Sequence, residues 1–253
     1  MRAVPPFRKV SGLDFYHLIW YTLYRAKFSK AKAQKAKGDL DMKIITVSRQ
    51  FGSGGRELGK RLADAFSIPC YDQQIIEMVA EKEKLDKNYV ANMSERELRA
   101  FYPSTIARGF SRSGEALMRS AQLIASEQEL IRKLALEGDC VIVGRAADMI
   151  LADLKPFRIF VCAEDGAKLE RCRSRERTDA DGRIQLSDKE ILKKCRELDR
   201  RRSAYRSMFT DKKWGDATAY DLCVNTTESD IKDMIPGLTA YISDWFDNKK
   251  EKN

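Results

Sequence analysis

Three glycines fall within four positions of the stretch SRQFGSGGRELGKRLA, residues 48–63. A loop of this composition between a strand and a helix gathers backbone N–H groups around one point. The helix dipole adds partial positive charge at the same place. Gly52, Ser53, Gly54 and Gly55 would supply the amides, and Arg56 opens the helical pattern. The chemistry such a loop performs is the holding of a polyphosphate. Glycine serves because a Cβ would obstruct phosphate oxygens or demand a costly positive φ. Farther along, residues 168–206 hold 14 Lys/Arg against 8 Asp/Glu. Most charges of that kind lie on solvated helix faces, yet DRRRSAYR places basic residues on every side of a helical turn. Some of these are expected to face a ligand.

The loop departs from the pattern G-x-x-x-x-G-K-[ST] at three positions. With Gly55 on the last glycine, Gln50 replaces the first glycine, Arg56 the lysine and Glu57 the hydroxyl residue. Arginine keeps the charge and grips phosphate oxygens in two places, where lysine is a compact point charge. Glu57 offers an oxygen ligand to Mg2+, although it brings negative charge toward the phosphates. Taken alone, the segment reads either as a phosphate cradle or as a glycine-rich turn.

Other chemistries are excluded or weakened by composition. The single histidine, His17, lies outside the strand-and-helix region, which removes a histidine triad or a histidine-rich metal site from that region. The six cysteines contain no C-x-x-C pair, and several sit in apolar strand-like runs as small buried hydrophobes. That usage points to a reducing cytoplasm. Of the net charge of +9, the first 41 residues carry +6, so the basic pI is not a nucleic-acid signature of the main domain. No run of 18 apolar residues is present, and the N-terminus lacks the plan of a signal peptide.

The elements that must position the loop follow in order. Residues 1–42 form a basic extension in which Tyr16, Ile19, Trp20 and Leu23 have helical spacing. It reads as a docked or mobile appendage, with contact to an anionic membrane the less favoured alternative. From residue 43 to 248 a single domain is expected. KIITVS (43–48), IPCYD (68–72), DCVIVG (139–144), FRIFVCA (157–163) and YDLCVNT (220–226) read as strands, separated by helical segments. One helix begins at Arg56, a long one spans 115–137, and the closing one ends near Trp245. A polar insertion occupies about 84–114, a hinge-like TDADGRIQL (178–186) divides the basic region, and 249–253 is a charged tail. This alternation predicts a three-layer α/β/α fold with a five-stranded, mostly parallel sheet.

Together these segments resemble the P-loop nucleoside monophosphate kinases, most closely the cytidylate kinase-like family. ITVSRQFGSGGRELGKRLA is similar to that family's variant loop. PCYDQQII resembles its second-strand segment, and VIVGRAADMIL its G-R-D-I-G stretch. FRIFVCAEDGAKLERCRSRE and CRELDRRRSAYRSMF match the approach to the lid and the lid helix. The resemblance covers about residues 43–246 in the same order.

It implies a P-loop fold with a lid at about 170–208, and transfer of the γ-phosphoryl of ATP, with Mg2+, to a nucleoside monophosphate or another small phosphorylated acceptor. CMP or dCMP is the default acceptor. Gly52, Ser53, Gly54, Gly55, Arg56 and Glu57 would hold the ATP phosphates. Arg56, Arg173, Arg177 and Arg201 would act on the transferring group. Asp72, Arg145, Asp148, Arg202 and Tyr205 would face the acceptor, with Glu57 and Asp72 as metal candidates. Ala146 stands where the family has aspartate after its GR pair. Leu198, Arg202 and Tyr205 replace an arginine, an aspartate and an arginine that hold the acceptor. These departures weaken the expectation of CMP and support a second reading, a nucleotide-binding regulator without turnover. No nucleic-acid partner is expected, and the chain would be a monomer or homodimer. Trp214 is read as packing at the sheet edge in preference to stacking on a base.

Overall fold

The computed structural model describes residues 42–85, 113–176 and 186–250. The extension 1–41, most of the expected insertion (86–112), nearly all of the hinge with Arg177 (177–185), and 251–253 lie outside the described residues. The strands are β1 (Ile44–Arg49), β2 (Cys70–Tyr71), β3 (Cys140–Val143), β4 (Phe157–Cys162) and β5 (Leu222–Asn225). They form one sheet in the order β2-β3-β1-β4-β5, with every pairing parallel. Among the described residues the helices are α1 (Gly55–Phe66), α2 (Gln73–Lys82), α3 (Ser113–Glu137), α4 (Ala147–Ile150), α5 (Asp165–Glu176), α6 (Asp188–Ser207) and α7 (Ile231–Lys250).

The β-branched runs form strands buried on both faces, as a parallel sheet requires. Ile45, Val47, Val141 and Val161 meet α1 and α7 on one side. Ile44, Cys140 and Ile142 meet α2, α3 and α4 on the other. Leu58 and Leu62, four apart on α1, are fully buried against the first face. Truncating either to alanine would cost about 2–5 kcal/mol. The six cysteines form no disulfide, and burial pushes the Cys140 thiol up to about 12.

This strand order creates the crevice. The chain leaves β1 and crosses over β3 to reach β2, then returns from β3 past β1 to β4. The loops after β1 and β3 therefore lead away from each other at the carboxyl ends of adjacent strands, where open α/β sheets bind ligands.

Beyond shifts of one or two residues at the ends of strands and helices, two elements differ from the sequence expectation. The closing helix does not stop near Trp245 but continues to Lys250, so two residues of the expected tail belong to α7. Its last turn is anchored: Lys249 Nζ donates to Lys155 O at 2.8 Å and lies 5.1 Å from the Trp245 ring centroid. The stretch between β3 and β4 had no element assigned. It forms α4 and a 3-10 turn at Ala152–Leu154, too short for a periodic pattern to register.

Candidate functional site

The loop after β1 is built by its own backbone. Gln50 N donates to Val161 O at 2.9 Å, and Gln50 Oε1 accepts from Ala163 N at 3.3 Å. Ser53 is fully buried, with its hydroxyl 2.9 Å from Gln50 O and 3.1 Å from Val161 O. Its carbonyl accepts from the Thr226 hydroxyl at 2.7 Å. Gly54, with φ of 78°, is the N-cap of α1. A Cβ there would fall 2.2 Å from Ile231 Cδ1. The left-handed φ is what favours glycine at this position, and any larger residue would also have to displace the tip of Ile231.

No side chain caps α1. The first intrahelical donor is Leu58 N, to Gly54 O at 3.0 Å, so the amides of Gly55, Arg56 and Glu57 begin the helix without acceptors along it. Basic side chains from α5 flank the loop. Lys168 is buried against Gly52, and Arg171 Nε would lie 3.8 Å from a Cβ at Gly54. Arg171 Nη2 donates to Thr226 O, while Nη1 is buried and meets no hydrogen-bond partner among the described residues. A convergent, uncapped helix start beside an orphaned buried guanidinium N–H fits an oxyanion.

Arg56 projects from the first turn of α1 and donates to Asp72 at the end of β2. Asp72 also takes Arg49 Nη2 at 3.4 Å. Arg49 seats its guanidinium over Gly144, where an added Cβ would come within 1.6 Å of Arg49 Nη1. Gly144, Arg145 and Ala146 all have positive φ, at 81°, 58° and 49°. A left-handed residue other than glycine costs about 1–2 kcal/mol, and such strain gathers at functional sites. Here the turn delivers Arg145 to the crevice, where Glu127 of α3 holds it at 3.2 Å.

The crevice has about 610 Å³ of empty space, its open mouth included, and is lined by Arg49, Arg145, Arg201, Arg202 and Arg206. Burial is the first force that pushes Arg49 down to about 9, and the neighbouring Arg202 is the second. Asp72 opposes both. Arg202 donates to Arg49 O at 3.1 Å, pairs with Asp199 at 3.4 Å, and lies 5.6 Å from the Phe51 ring centroid. Asp199 also accepts from Phe51 N at 2.7 Å, so α6 is tied directly to the glycine loop.

Of the predicted residues, Arg145, Arg201, Arg202 and Tyr205 line the crevice. Arg56 and Asp72 stand beside it, joined to it through the Asp72–Arg49 pair, and residues 52–55 form the loop that leads into α1. The Tyr205 hydroxyl donates to Glu127 at 3.0 Å, and burial beside that carboxylate raises its pKa well above the ordinary value. Asp148 is buried behind Arg206, which donates to it at 3.0 Å, and so holds an arginine in place. Glu57 pairs with Arg61 at 2.8 Å along α1. Arg173 is exposed and pairs with Asp188 at the start of α6. Trp214 packs edge-on against Phe160, 5.2 Å between centroids, while also lining the crevice.

Arg49, Glu127, Lys168, Arg171, Asp199 and Arg206 were not singled out as site residues. Arg49 had a usable signal, since it directly precedes the loop. Glu127 had none, because a carboxylate in a long polar helix reads as solvent-facing.

A parallel sheet of order 2-3-1-4-5, with a glycine loop between β1 and α1, defines a P-loop kinase type of fold. The chain belongs to the cytidylate kinase-like family, whose profile matches residues 44–228. An uncharacterized protein from Eubacterium ventriosum ATCC 27560 has a similar structure, with a TM-score of 0.57 and 24% identity over 79% of this chain and 98% of that one. Weaker similarity extends to a shikimate kinase from Bacteroides thetaiotaomicron, with a TM-score of 0.46 and 17% identity over 80% of this chain and 99% of that one. A gluconokinase from Sinorhizobium meliloti 1021 also has a TM-score of 0.46, with 12% identity over 85% and 99%. No curated protein matches the chain. Among the described residues, no helix is long and apolar enough to cross a membrane.

Proposed function

We propose that this protein is an ATP-dependent phosphotransferase acting on a small phosphorylated acceptor. The observation that carries the reading is the uncapped start of α1 beside a crevice lined by four guanidiniums from three other segments, Arg49, Arg145, Arg201 and Arg202, the two being bridged by Asp72, which takes both Arg49 and Arg56. Phosphoryl transfer needs alignment, exclusion of water, and positive charge where oxygens crowd in the transition state.

In this reading the amides of Gly54, Gly55 and Arg56 bind the donor's β- and γ-phosphates from below. Lys168 and Arg171 flank them. Arg56 crosses from Asp72 to the γ-phosphoryl oxygens, and Arg145 and Arg202 orient the acceptor. Arg201, and beyond the described residues Arg177, close from the lid. Arg173 must release Asp188 to take part.

Mg2+ bound to ATP neutralises charge between its phosphates. Asp72 and Glu57 are the acidic candidates beside the start of α1, and arginines pair with both. The described residues contain no group of three His, Cys, Asp or Glu able to cage a metal. They fit an ion that arrives on the nucleotide, with Asp72 or Glu57 as an outer ligand.

The test is ADP formation from Mg-ATP with a panel of nucleoside monophosphates and sugar phosphates. Turnover that depends on an acceptor supports the proposal. Tight ATP binding with no ADP from any acceptor rejects it in favour of the regulator. That alternative has its own support, because Asp72 engages Arg56, the residue standing in for the loop lysine.

A further inference from the structure

Each of the five arginines that line the crevice is paired with a carboxylate. Arg49 pairs with Asp72, Arg145 with Glu127, Arg201 with Glu197, Arg202 with Asp199 and Arg206 with Asp148. None of those carboxylates lines the crevice, and its described lining contains no Asp or Glu. The cations stand forward and the anions behind.

This layering determines what the crevice can recognise. A guanidinium carries five N–H donors and no acceptor, so a wall of guanidiniums presents positive charge and donors and no accepting group of its own. The Tyr205 hydroxyl donates its hydrogen bond to Glu127, which leaves its oxygen as one acceptor among the guanidinium donors. The side-chain chemistry offered to a ligand is therefore dominated by donors. An exocyclic amine, as on cytosine, is itself a donor and needs a carboxylate or carbonyl opposite it. Arg202 is turned toward Arg49 O and Asp199. Leu198 adds only apolar surface.

Charge points the same way. Arg202, Arg145 and Arg56 all act to lower the pKa of buried Arg49, with only Asp72 among its named neighbours opposing. An anion placed among these groups would relieve their repulsion, and a neutral base would not. Arg206 is fully engaged, with Asp148, Lys212 O and Met149 Sδ, so it braces the wall.

Resting on the phosphotransferase reading, we infer that the acceptor is a compact molecule with at least two anionic groups, recognised through its oxyanions and not through a nucleobase. The groups that recognise it are Arg49, Arg145, Arg201 and Arg202.

The experiment is calorimetric titration of the full-length protein, saturated with Mg-ADP, with three probes. CMP carries one phosphate and a base, ribose 5-phosphate the phosphate and sugar alone, and fructose 1,6-bisphosphate two phosphates and no base. The bisphosphate is expected to bind at least about ten-fold tighter than ribose 5-phosphate, and CMP within about ten-fold of it. Arg202→Gln is expected to remove most of the bisphosphate advantage, and Arg49→Lys serves as a second variant should that one fail to fold. A bisphosphate advantage below about ten-fold, or CMP more than about ten-fold tighter than ribose 5-phosphate, overturns the inference. So does a bisphosphate advantage that survives in both folded variants.

ADP formation with each probe is scored separately. Bisphosphate preference without ADP formation from any acceptor would reject the kinase reading and leave the recognition inference standing. Turnover confined to CMP with a base-dependent affinity would do the reverse.

Discussion

Arg56 links the amide cradle to Asp72 at the end of β2, and its side chain is 59% exposed. An ion pair this open contributes about 0.2–1 kcal/mol. Stabilising charge on a transferring phosphoryl group is worth about 10²-fold or more in rate. Arg56→Ala is therefore expected to lower turnover by about 10²-fold while melting within a few degrees of the parent. Unchanged turnover would remove Arg56 from the transfer step. Asp148 makes a different prediction. Burial raises its carboxyl above the ordinary 3.8 against the pull of Arg206, and more weakly of Arg158. A group whose pKa rises on folding stabilises most below its unfolded value and loses that contribution as pH climbs through the folded one. The stability of the parent relative to Asp148→Asn is expected to fall as pH rises above 3.8. Urea melts across roughly pH 4 to 7 would show this, and a difference independent of pH would count against it.

At the scale of elements, two devices position the arginines. The left-handed turn at 144–146 lets Arg49 lie across a glycine and aims Arg145 inward. Gly144→Ala forces the Arg49 guanidinium aside. It is expected to raise the acceptor KM by about ten-fold and to change Mg-ATP affinity far less. Equal loss on both substrates would mean that the turn supports the whole crevice. Helix α6 starts with a capping box in which Ser187 accepts from Glu190 N, and the Glu190 carboxylate accepts from Ser187 N at 2.9 Å. Ser187→Ala is expected to cost about 1 kcal/mol, seen as a drop of about 2–4 °C in Tm. Because α6 also carries Arg201, Arg202 and Arg206, the acceptor KM should rise with it. A fall in Tm with no change in KM would show that the cap leaves those side chains in place.

For the molecule as a whole, the net charge of +9 misdirects, since two thirds of it lies in the first 41 residues. What matters is local, a crevice with arginines forward and carboxylates behind. Affinity for an anionic acceptor is accordingly expected to weaken steadily between about 50 and 500 mM KCl, in calorimetric titrations with Mg-ADP present. Insensitivity to salt would mean that contacts other than charge dominate. The crevice exists because β1 lies between β3 and β4, which sends the loops after β1 and β3 apart.

The order of strands and helices, the glycine loop and the basic character of 168–206 could all be read from the chain. Each is a local property, set by residue type and by spacing of two or of 3.6. Arg145 and Arg202 were expected from the family resemblance, and both line the crevice. Pairing across distance was not legible. That Asp199 would bind Phe51 N, that Glu127 would hold both Arg145 and Tyr205, and that Asp148 would lie behind Arg206 depend on which helix faces which strand end. The same holds for Glu57, a metal candidate by alignment whose carboxylate lies against Arg61 one turn along. Side-chain direction follows from packing between elements, and only the tertiary structure decides it.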